Sequence, residues 1–269
     1  MSELNNLAAY RFTAGATPLL ISVPHSGLGL LKGMQENLSP DAVTLPDTDW
    51  RVDELYTGAG ELGAGMLIAN YSRYVVDLNR PPDNAQLYAS EISGLFPHKT
   101  FHNQPLWLEQ SAVDSQQKWI MQNIWQAYHQ KIRLELERIK QRHGFAILLD
   151  AHSIVAEVPG LFRGVLPDLN LGSYDGRSAS ATLIEVAYAS LESPAYSRVL
   201  DGRFKGGAIT RGFGRPAENI HALQLEISQS TYLQPTDAWP QIDVSKASRL
   251  RQTIQRLLNS LLEWQGGSS

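Results

Sequence analysis

The 269-residue sequence predicts an α/β fold, with one domain built around a mixed, mainly parallel sheet. Short apolar runs alternate with longer segments of helical periodicity, which is the order of elements in α/β proteins. Several apolar runs lack strict alternation, as expected for inner strands that helices cover on both faces. No repeat, composition shift or low-complexity linker divides the chain. We therefore expect a single domain over residues 1–269.

Six apolar runs are the strand candidates. They are Leu19–Val23, Met66–Ala69, Tyr74–Leu78, Phe145–Leu149, Leu161–Leu166 and Ala222–Ile227. Two long stretches rich in Pro, Gly and Asn, at 79–105 and 159–176, are predicted to be loops. Loops of this length are uncommon in compact domains, and they tend to carry function.

Four longer segments carry helical patterns. They are residues 47–62, Ser111–Arg142, Ser178–Leu191 and Ser245–Leu262. The second is the clearest, because it begins with a capping-box-like Ser111-x-x-Asp114 and Gly144 is available for a left-handed cap at its end. Its apolar stripe is Ile120, Ile124, Tyr128, Ile132, Leu136 and Ile139. The polar tail, from about 264 to 269, is expected to fray.

Composition and charge exclude several classes of protein. Apolar residues make up 43% of the chain and charged residues 19%, as in globular rather than disordered proteins. The formal net charge of −4 argues against a nucleic-acid partner, which usually needs a concentrated basic face. No apolar run approaches the roughly 18 residues that span a bilayer, and the N-terminus lacks a signal-peptide pattern. We expect a soluble, cytoplasmic protein with no nucleic-acid and no membrane partner.

The absence of cysteine limits the chemistry further. It excludes disulfides, thiolate nucleophiles and cysteine metal sites. Any metal ion must then be held by His, Asp and Glu, and this donor set favours zinc or a harder divalent cation. The GAGELG stretch at 58–63 lies inside a helical pattern rather than between a strand and a helix, so it does not indicate a dinucleotide site.

Polar residues suited to catalysis follow or end four of the predicted strands. They are His25, His152, Glu226 and the pair Asn79 and Arg80. Open α/β sheets bind their ligands at the carboxyl ends of the strands. We therefore expect two histidines, a carboxylate and an Asn-Arg pair at one rim of the sheet.

Each of these residues also has an ordinary explanation. A single histidine after a strand is more often a turn or core residue than a metal ligand. Asp150 is able to orient the imidazole of His152 or to cap the next loop. A lone carboxylate such as Glu226 is costly to bury in an apolar strand unless it is functional or joins a core salt bridge. The three polar residues of PDTDW (46–50) are all good helix N-caps, although one carboxylate could remain free for a metal.

Several arginines stand beside glycines, prolines or strands rather than on helix faces. They are Arg73, Arg80, Arg163 and Arg211. A guanidinium binds a carboxylate through two parallel hydrogen bonds, so these residues suit an acidic substrate. The loop RFKGGAITRGFG at 203–214 adds Lys205 and four glycines, and it could close over an anionic ligand. Structural pairing with aspartates is the alternative for at least two of the four arginines.

Seven motifs in order resemble the N-formylglutamate amidohydrolase family, over residues 15–260. They are VPHSG, LPDTDW, YSRYVVDLNRPP, LLDAHSI, LPDLNLG, RFKGGAITRGFG and HALQLEISQSTYL. The family is related to the zinc carboxypeptidases and to aspartoacylase. The resemblance implies a single three-layer α/β/α catalytic domain, with a mixed sheet of about eight strands and a metal at its carboxyl edge.

The resemblance also implies a ligand set for one divalent metal ion, Zn²⁺. His25 and His152 match the two histidines of the wider superfamily. An acid follows the first histidine by three residues in that superfamily, but Leu28 stands there in this sequence. The second ligand must come from elsewhere. The candidates, in order of preference, are Asp49, Asp47 and Glu54.

Further roles follow from the same resemblance. Glu226 corresponds to the general base, and Arg73 resembles the arginine that polarises the scissile carbonyl. Asn79 and Arg80 resemble the pair that holds a substrate carboxylate. Membership of a motif alone assigns substrate binding to Arg163, Lys205 and Arg211, with His221 as a further guess. The implied reaction is zinc-dependent hydrolysis of N-formyl-L-glutamate to formate and L-glutamate in histidine degradation.

Two other functions stay open at this point. The same chemistry could act on another N-acyl amino acid or on a C-terminal peptide bond, as in a carboxypeptidase. Alternatively, the protein could bind an acidic metabolite without catalysis. The presence of His25, His152 and Glu226 disfavours this alternative. The sequence leaves open the identity of the metal, the loop that closes over the substrate, and the oligomeric state, a homo-oligomer included.

Overall fold

A seven-stranded sheet forms the centre of the molecule in the computed structural model, which describes residues 7–87, 94–235 and 239–266. The strands are β1 (Tyr10–Thr13), β2 (Leu19–Val23), β3 (Gly65–Ala69), β4 (Ala146–Ile154), β5 (Leu169–Gly172), β6 (Arg198–Leu200) and β7 (Ile220–Ser228). Their order across the sheet is β1-β3-β2-β4-β7-β5-β6. Four of the predicted strands are confirmed as β2, β3, β4 and β7.

The sheet is mixed and mainly parallel, as predicted. Strands β3, β2, β4 and β7 are parallel neighbours, and β5 pairs in parallel with β6. The antiparallel pairs are β1 with β3 and β5 with β7. Every residue of β2, β4 and β7 is buried, which explains their continuous apolar character.

The predicted strand Tyr74–Leu78 is wrong, because local side chains capture the backbone of this segment. The hydroxyl of Ser72 accepts a hydrogen bond from the amide of Tyr74 at 3.2 Å. The carboxylate of Asp77 accepts one from the amide of Asn79 at 2.9 Å. Such bonds compete with a strand ladder, so the segment forms turns.

The predicted strand Leu161–Leu166 is also wrong. The amides of Leu161 and Phe162 both donate to the carbonyl of Val158, at 2.8 and 3.0 Å, which closes a turn. Leu161, Phe162 and Leu166 belong to a small cluster with Phe101 and Ile154, whereas Val165 is exposed. Burial in a satellite cluster therefore produced the strand-like pattern.

Six α-helices, one π-helical turn and three 3-10 helices surround the sheet in the described residues. The α-helices are α1 (Gln110–Asp114), α2 (Gln117–Ile120), α3 (Gln126–His143), α4 (Ala181–Ser190), α5 (Ala208–Phe213) and α6 (Val244–Glu263). The π turn is Met121–Trp125, and the 3-10 helices are Val52–Ala59, Pro216–Glu218 and Gln229–Thr231.

The predicted helix Ser111–Arg142 is present as α1, α2, the π turn and α3 in succession. All six residues of its predicted stripe are buried. Gly144 ends α3 in the left-handed conformation, with a φ of 85°, as expected for a glycine cap. Helices α4 and α6 confirm the other two long predictions to within a few residues.

The predicted helix at 47–62 is shorter and tighter than expected. Only Val52–Ala59 is helical, as a 3-10 helix, and Arg51 precedes it with a φ of 58° and no side-chain cap. None of the three polar residues of PDTDW therefore caps it. The PDTDW segment instead lies beside the residues that follow β2, where the amide of Asp49 donates to the carbonyl of His25 at 3.1 Å.

Helices cover both faces of the sheet, in the predicted α/β/α arrangement. Helices α3 and α5 contact the central strands on one face, and the group of α6, α4 and the 3-10 helix Val52–Ala59 covers the other. At the C-terminus Trp264 is buried against Phe145 and His221, so the chain is still packed where the predicted frayed tail begins. The last three residues of that tail lie outside the described residues. Within the described ranges, no helix is both long and apolar enough to span a membrane.

Candidate active site

The carboxyl ends of β2, β4 and β7 bring three of the predicted residues to one rim. His25 lies two residues after β2, whereas His152 and Glu226 lie within β4 and β7, two residues before the end of each strand. His152 and Glu226 are register partners in the parallel pair, so both side chains project from the same face. The strand-end prediction therefore holds for these three residues, with two of them inside the strand rather than beyond it.

His25, Asp49 and His152 form a buried group whose ligand atoms lie within 4.8 Å of one another. Asp49 Oδ2 is 3.1 Å from His152 Nδ1 and 3.8 Å from His25 Nδ1. The two imidazole rings are 5.0 Å apart, at an angle of 56°. Two nitrogens and one carboxylate oxygen thus converge on one point from three different parts of the chain.

The far side of each imidazole is held by another buried carboxylate. His25 Nε2 donates to Asp77 Oδ1 at 2.8 Å, and His152 Nε2 donates to Asp150 Oδ2 at 2.7 Å. Ser22 donates in turn to Asp150 Oδ1 at 2.9 Å. Hydrogen bonds of this kind fix the orientation of a histidine and leave Nδ1 to face the group.

Arg73 balances the negative charge of these carboxylates. Its guanidinium donates to Asp77 Oδ2 at 2.9 Å, to Asp49 Oδ1 at 3.4 Å and to the carbonyl of Asp47 at 3.2 Å. It also lies over the ring of Phe101, with 4.7 Å to the ring centre. The side chain is only 9% exposed and lines the pocket beside the histidines.

The three candidates for the acidic ligand have different surroundings. Asp49 Oδ2 accepts the amide hydrogen of Ser153 at 3.0 Å, which aims it at His152. Asp47 Oδ2 accepts the amide hydrogen of Phe101 at 2.9 Å and braces that loop. Glu54 pairs with Arg51 at 2.9 Å, with a side chain that is 40% exposed. Asp49 is the candidate that the structure brings to the two histidines.

Glu226 lies in the same pocket within a chain of side-chain amides. Gln224 donates to Glu226 Oε2 at 3.5 Å and accepts from the amide of Gly207 at 2.8 Å. Asn79 Nδ2 lies 3.4 Å from Gln224 Oε1 and 3.1 Å from His152 Nε2. Asn79 and Glu226, which were predicted separately, are thus linked through Gln224, a residue for which sequence reasoning had given no role.

Gly207 permits the close approach of Asn79 to this chain of amides. A Cβ at position 207 would lie 2.3 to 2.4 Å from the side-chain atoms of Asn79, closer than real contacts allow. The backbone there has a φ of −87°, so Ala is not excluded by backbone strain. We expect Gly207→Ala to displace Asn79. In steady-state kinetics, KM for the acidic substrate expected from the sequence should then rise about tenfold, which is the order of one or two lost polar contacts. Gly212→Ala, inside the adjoining helix α5, is the control, because its Cβ would meet nothing within 4 Å, and an equal effect there would contradict this role for Gly207.

Burial and charge shift the protonation of the group in opposite directions. Burial, aided by Arg73, lowers the pKa of His25. Burial opposes protonation of His152 as well, but the carboxylates of Asp150 and Asp49 outweigh it and raise the pKa of this residue. Burial also raises the pKa of Glu226 to about 8, to which the negative charge of Asp49 contributes. Glu226 is therefore a carboxylate that holds a proton more readily than usual.

The pocket around these residues contains His25, Asp49, His152 and Glu226 in its lining. Its apolar wall consists of Phe101, Ile154, Leu161 and Phe204. Three guanidinium groups line it as well, those of Arg73, Arg80 and Arg203. A small polar molecule with negative charge fits this lining.

Comparison with known proteins decides the family. The sequence model of the N-formylglutamate amidohydrolase family matches residues 17–233. The chain belongs to this family. The prediction made from the seven motifs is therefore confirmed.

Two curated relatives of the family are similar over most of their length. One is the N-formylglutamate deformylase of Pseudomonas putida, which is 44% identical over 256 residues, 94% of this chain and 95% of the relative. The other is the N-formylglutamate deformylase of Pseudomonas aeruginosa, 45% identical over 258 residues, 94% and 96% of the two chains.

Two solved structures share the fold. The N-formylglutamate amidohydrolase of Ralstonia eutropha JMP134 aligns with a TM-score of 0.76 at 19% identity, over 95% of this chain and 99% of the other. A protein of Agrobacterium tumefaciens aligns with a TM-score of 0.69 at 16% identity, over 95% of both chains.

Three predicted substrate residues lie away from the pocket lining in the described part of this amidohydrolase. Arg163 is exposed on the loop after β4. Lys205 pairs with Asp175 at 2.7 Å on the surface. Arg211 donates to the carbonyl of Gly206 at 2.7 Å, and its guanidinium covers Tyr174. His221, at the opposite end of β7, accepts the amide hydrogen of Ser180.

Three site residues were missed by the sequence reasoning: Asp77, Gln224 and Arg203. Asp77 and Arg203 stand inside motifs that were noticed, DLNR and RFKGG, but other members of those motifs were chosen. Gln224 was given no role. Period-two alternation along β7 was the signal that could have assigned it to the site.

Proposed function

We propose that this chain hydrolyses the formamide bond of N-formyl-L-glutamate to formate and L-glutamate, in histidine degradation. The observation that supports this most is the buried group of His25, Asp49 and His152, which shares one arginine-lined pocket with Glu226. The substrate is the one named for the two Pseudomonas relatives.

A divalent metal ion fits the three-residue group, and Zn²⁺ suits it best. His25 Nδ1 is buried without a hydrogen-bond partner among the described residues, which is costly unless something else binds it. Two imidazole nitrogens and a carboxylate oxygen are a common donor set for catalytic zinc. Asp77 and Asp150 already hold the opposite nitrogens, as the partners of metal-binding histidines usually do. A bound Zn²⁺ would polarise the formyl carbonyl and lower the pKa of water in the pocket.

Glu226 is proposed as the general base and then the general acid. In the first step its carboxylate removes a proton from the water that attacks the formyl carbon. In the second step the same proton passes to the nitrogen of the departing glutamate. Burial suits Glu226 to both steps, because a carboxyl with a raised pKa takes up and releases a proton near neutral pH.

Arg73 is proposed to stabilise the negative charge that develops on the formyl oxygen. Its guanidinium is already oriented by Asp77 and by the carbonyl of Asp47, so it needs no rearrangement during the reaction. Asn79 and Arg80 are proposed to bind one carboxylate of the substrate. Arg203 also lines the pocket and is proposed to bind the second carboxylate of the substrate. It replaces the three basic residues that lie away from the pocket, which are Arg163, Lys205 and Arg211.

We expect Arg80→Gln and Arg203→Gln each to raise KM for N-formyl-L-glutamate by about 10- to 100-fold, the range of a lost charge-assisted bond. The effect on kcat should be smaller, since these groups bind substrate and transition state alike. Initial-rate kinetics measure both constants. Arg163→Gln is the matched control and should leave KM unchanged. A large rise in KM for Arg163→Gln alone would restore the sequence prediction.

The function itself is tested by metal content and product formation on purified protein. We expect about one equivalent of zinc per chain and release of formate and glutamate in equal amounts. N-acetyl-L-glutamate and a dipeptide with C-terminal glutamate are the comparison substrates. Faster cleavage of either would replace the deformylase assignment with a deacylase or a carboxypeptidase, respectively.

A further inference from the structure

Among the described residues, the segment that presents Asn79 and Arg80 pairs with no strand. It forms turns rather than the predicted strand, so its carbonyl groups need hydrogen-bond donors from elsewhere. The carbonyl of Leu78 accepts from His129 Nε2 at 2.8 Å, and the carbonyl of Arg80 accepts from Trp125 Nε1 at 3.1 Å. Two side chains therefore hold the backbone on either side of Asn79.

The side chains of Trp125 and His129 pack against each other on neighbouring helical turns. Trp125 is the last residue of the π turn, and His129 follows it by four residues in α3. Their rings are stacked, with centres 3.8 Å apart and an angle of 13° between the planes. A π turn holds one more residue than an α-helical turn, and such turns occur frequently at functional sites.

Helix α5 holds Asn79 from the other side. The amide of Ala208 donates to the carbonyl of Asn79 at 3.2 Å, and the amide of Ile209 donates to its Oδ1 at 2.9 Å. The last residue of α5, Phe213, lies 5.8 Å from the ring of His129. The stacked rings of Trp125, His129 and Phe213 thus connect the π turn and α3 to α5, and all three elements donate hydrogen bonds to residues 78–80.

His129 is suited to be a permanent donor in this arrangement. It is buried, and burial lowers its pKa to about 4, so the imidazole is neutral near pH 7. A carbonyl only accepts hydrogen bonds, so the single ring hydrogen lies on Nε2 and points at Leu78.

We propose that Trp125 and His129 are positioning residues, which fix the carbonyls of Leu78 and Arg80 and thereby aim Asn79 and Arg80 into the pocket. The kinetic consequence rests on the proposed function, because it assumes that these two residues bind a substrate carboxylate. The structural consequence does not depend on the substrate.

Trp125→Phe tests the proposal, since it retains a ring against His129 and removes the indole donor. Hydrogen–deuterium exchange of peptides covering residues 76–82 should become about fivefold faster or more, the order expected for one lost hydrogen bond. KM for N-formyl-L-glutamate should rise about fivefold to tenfold, with kcat within about twofold of the wild type. Trp119→Phe in α2 is the control with the same side-chain change.

A double-mutant cycle separates positioning from a general loss of stability. In an Arg80→Gln background, Trp125→Phe should raise KM further by less than twofold, because Trp125 holds the carbonyl of residue 80 itself and the guanidinium at that position is absent. A full multiplication of the two effects, or unchanged exchange over residues 76–82, would overturn the proposal. Absence of formate release by the wild type would refute the proposed function alone, since the exchange measurement needs no substrate.

Discussion

Glu226→Gln is expected to lower kcat for formate release by about 10²- to 10⁴-fold, the range typical of a lost general acid–base group. The amide has nearly the shape of the carboxylate, so it fills the same place beside Gln224. It cannot take the proton of the attacking water or return it to the leaving nitrogen. KM and metal content should stay near the wild-type values, because Glu226 belongs to neither the metal group nor the arginines.

The measurement combines formate release under saturating substrate with zinc content by atomic absorption. Glu192→Gln is the matched control, since that glutamate pairs with Arg198 at the surface and does not line the pocket. It should keep full activity. Turnover of Glu226→Gln near that of the wild type would remove Glu226 from the mechanism, whereas loss of zinc would move it to the metal group.

The central part of this site was predictable because parallel strands impose it. His25, His152 and Glu226 each come at the carboxyl end of an aliphatic run, and such ends meet at one edge of the sheet. Burial of a lone carboxylate in β7 was a second signal, since it is costly without a partner or a function. Both signals depend on strand residues, whose position follows from a short apolar pattern.

Residues on loops were less predictable, because their positions depend on hydrogen bonds between distant segments. Arg163 and Arg203 both belong to basic, glycine-containing loops, and nothing local distinguishes them. Arg203 reaches the pocket because its Nε donates to the carbonyl of Leu161 at 2.9 Å, a contact between loops that are 42 residues apart. The predicted strand Tyr74–Leu78 was wrong for a related reason, since the side chains of Ser72 and Asp77 accept hydrogen bonds from backbone amides in and beside this segment.

The π turn had a signal in the spacing of the apolar stripe. From Ile120 to Leu136 the buried residues recur every four positions, which exceeds the 3.6 residues of an α-helical turn. Over several turns such a stripe would drift around a regular helix. An extra residue in one turn, at Met121–Trp125, offsets part of this drift and is consistent with all of these side chains facing the core.

Asp49→Asn is expected to weaken zinc binding by more than the 10- to 100-fold typical of losing a partner behind a metal ligand. The chain should then be purified with little zinc and with a correspondingly low rate of formate release. Asn keeps an oxygen for the amide of Ser153, so the loop should stay in place. What is lost is the negative charge between two imidazoles, and with it the anionic donor of the group.

Asp47→Asn and Glu54→Gln are the matched variants, because they remove the other two candidate carboxylates from the same segment. Both should retain about one equivalent of zinc, since Asp47 Oδ2 is directed at the amide of Phe101 and Glu54 at Arg51. Asp47 is buried, so circular dichroism and a thermal melt must show that its variant is folded before its zinc is counted. Loss of zinc in Asp47→Asn or Glu54→Gln, with zinc retained in Asp49→Asn, would transfer the ligand to that residue. The geometry favours Asp49, because its backbone amide is hydrogen-bonded to His25 and its carboxylate to the amide of Ser153. These two bonds hold the carboxylate between the two histidines.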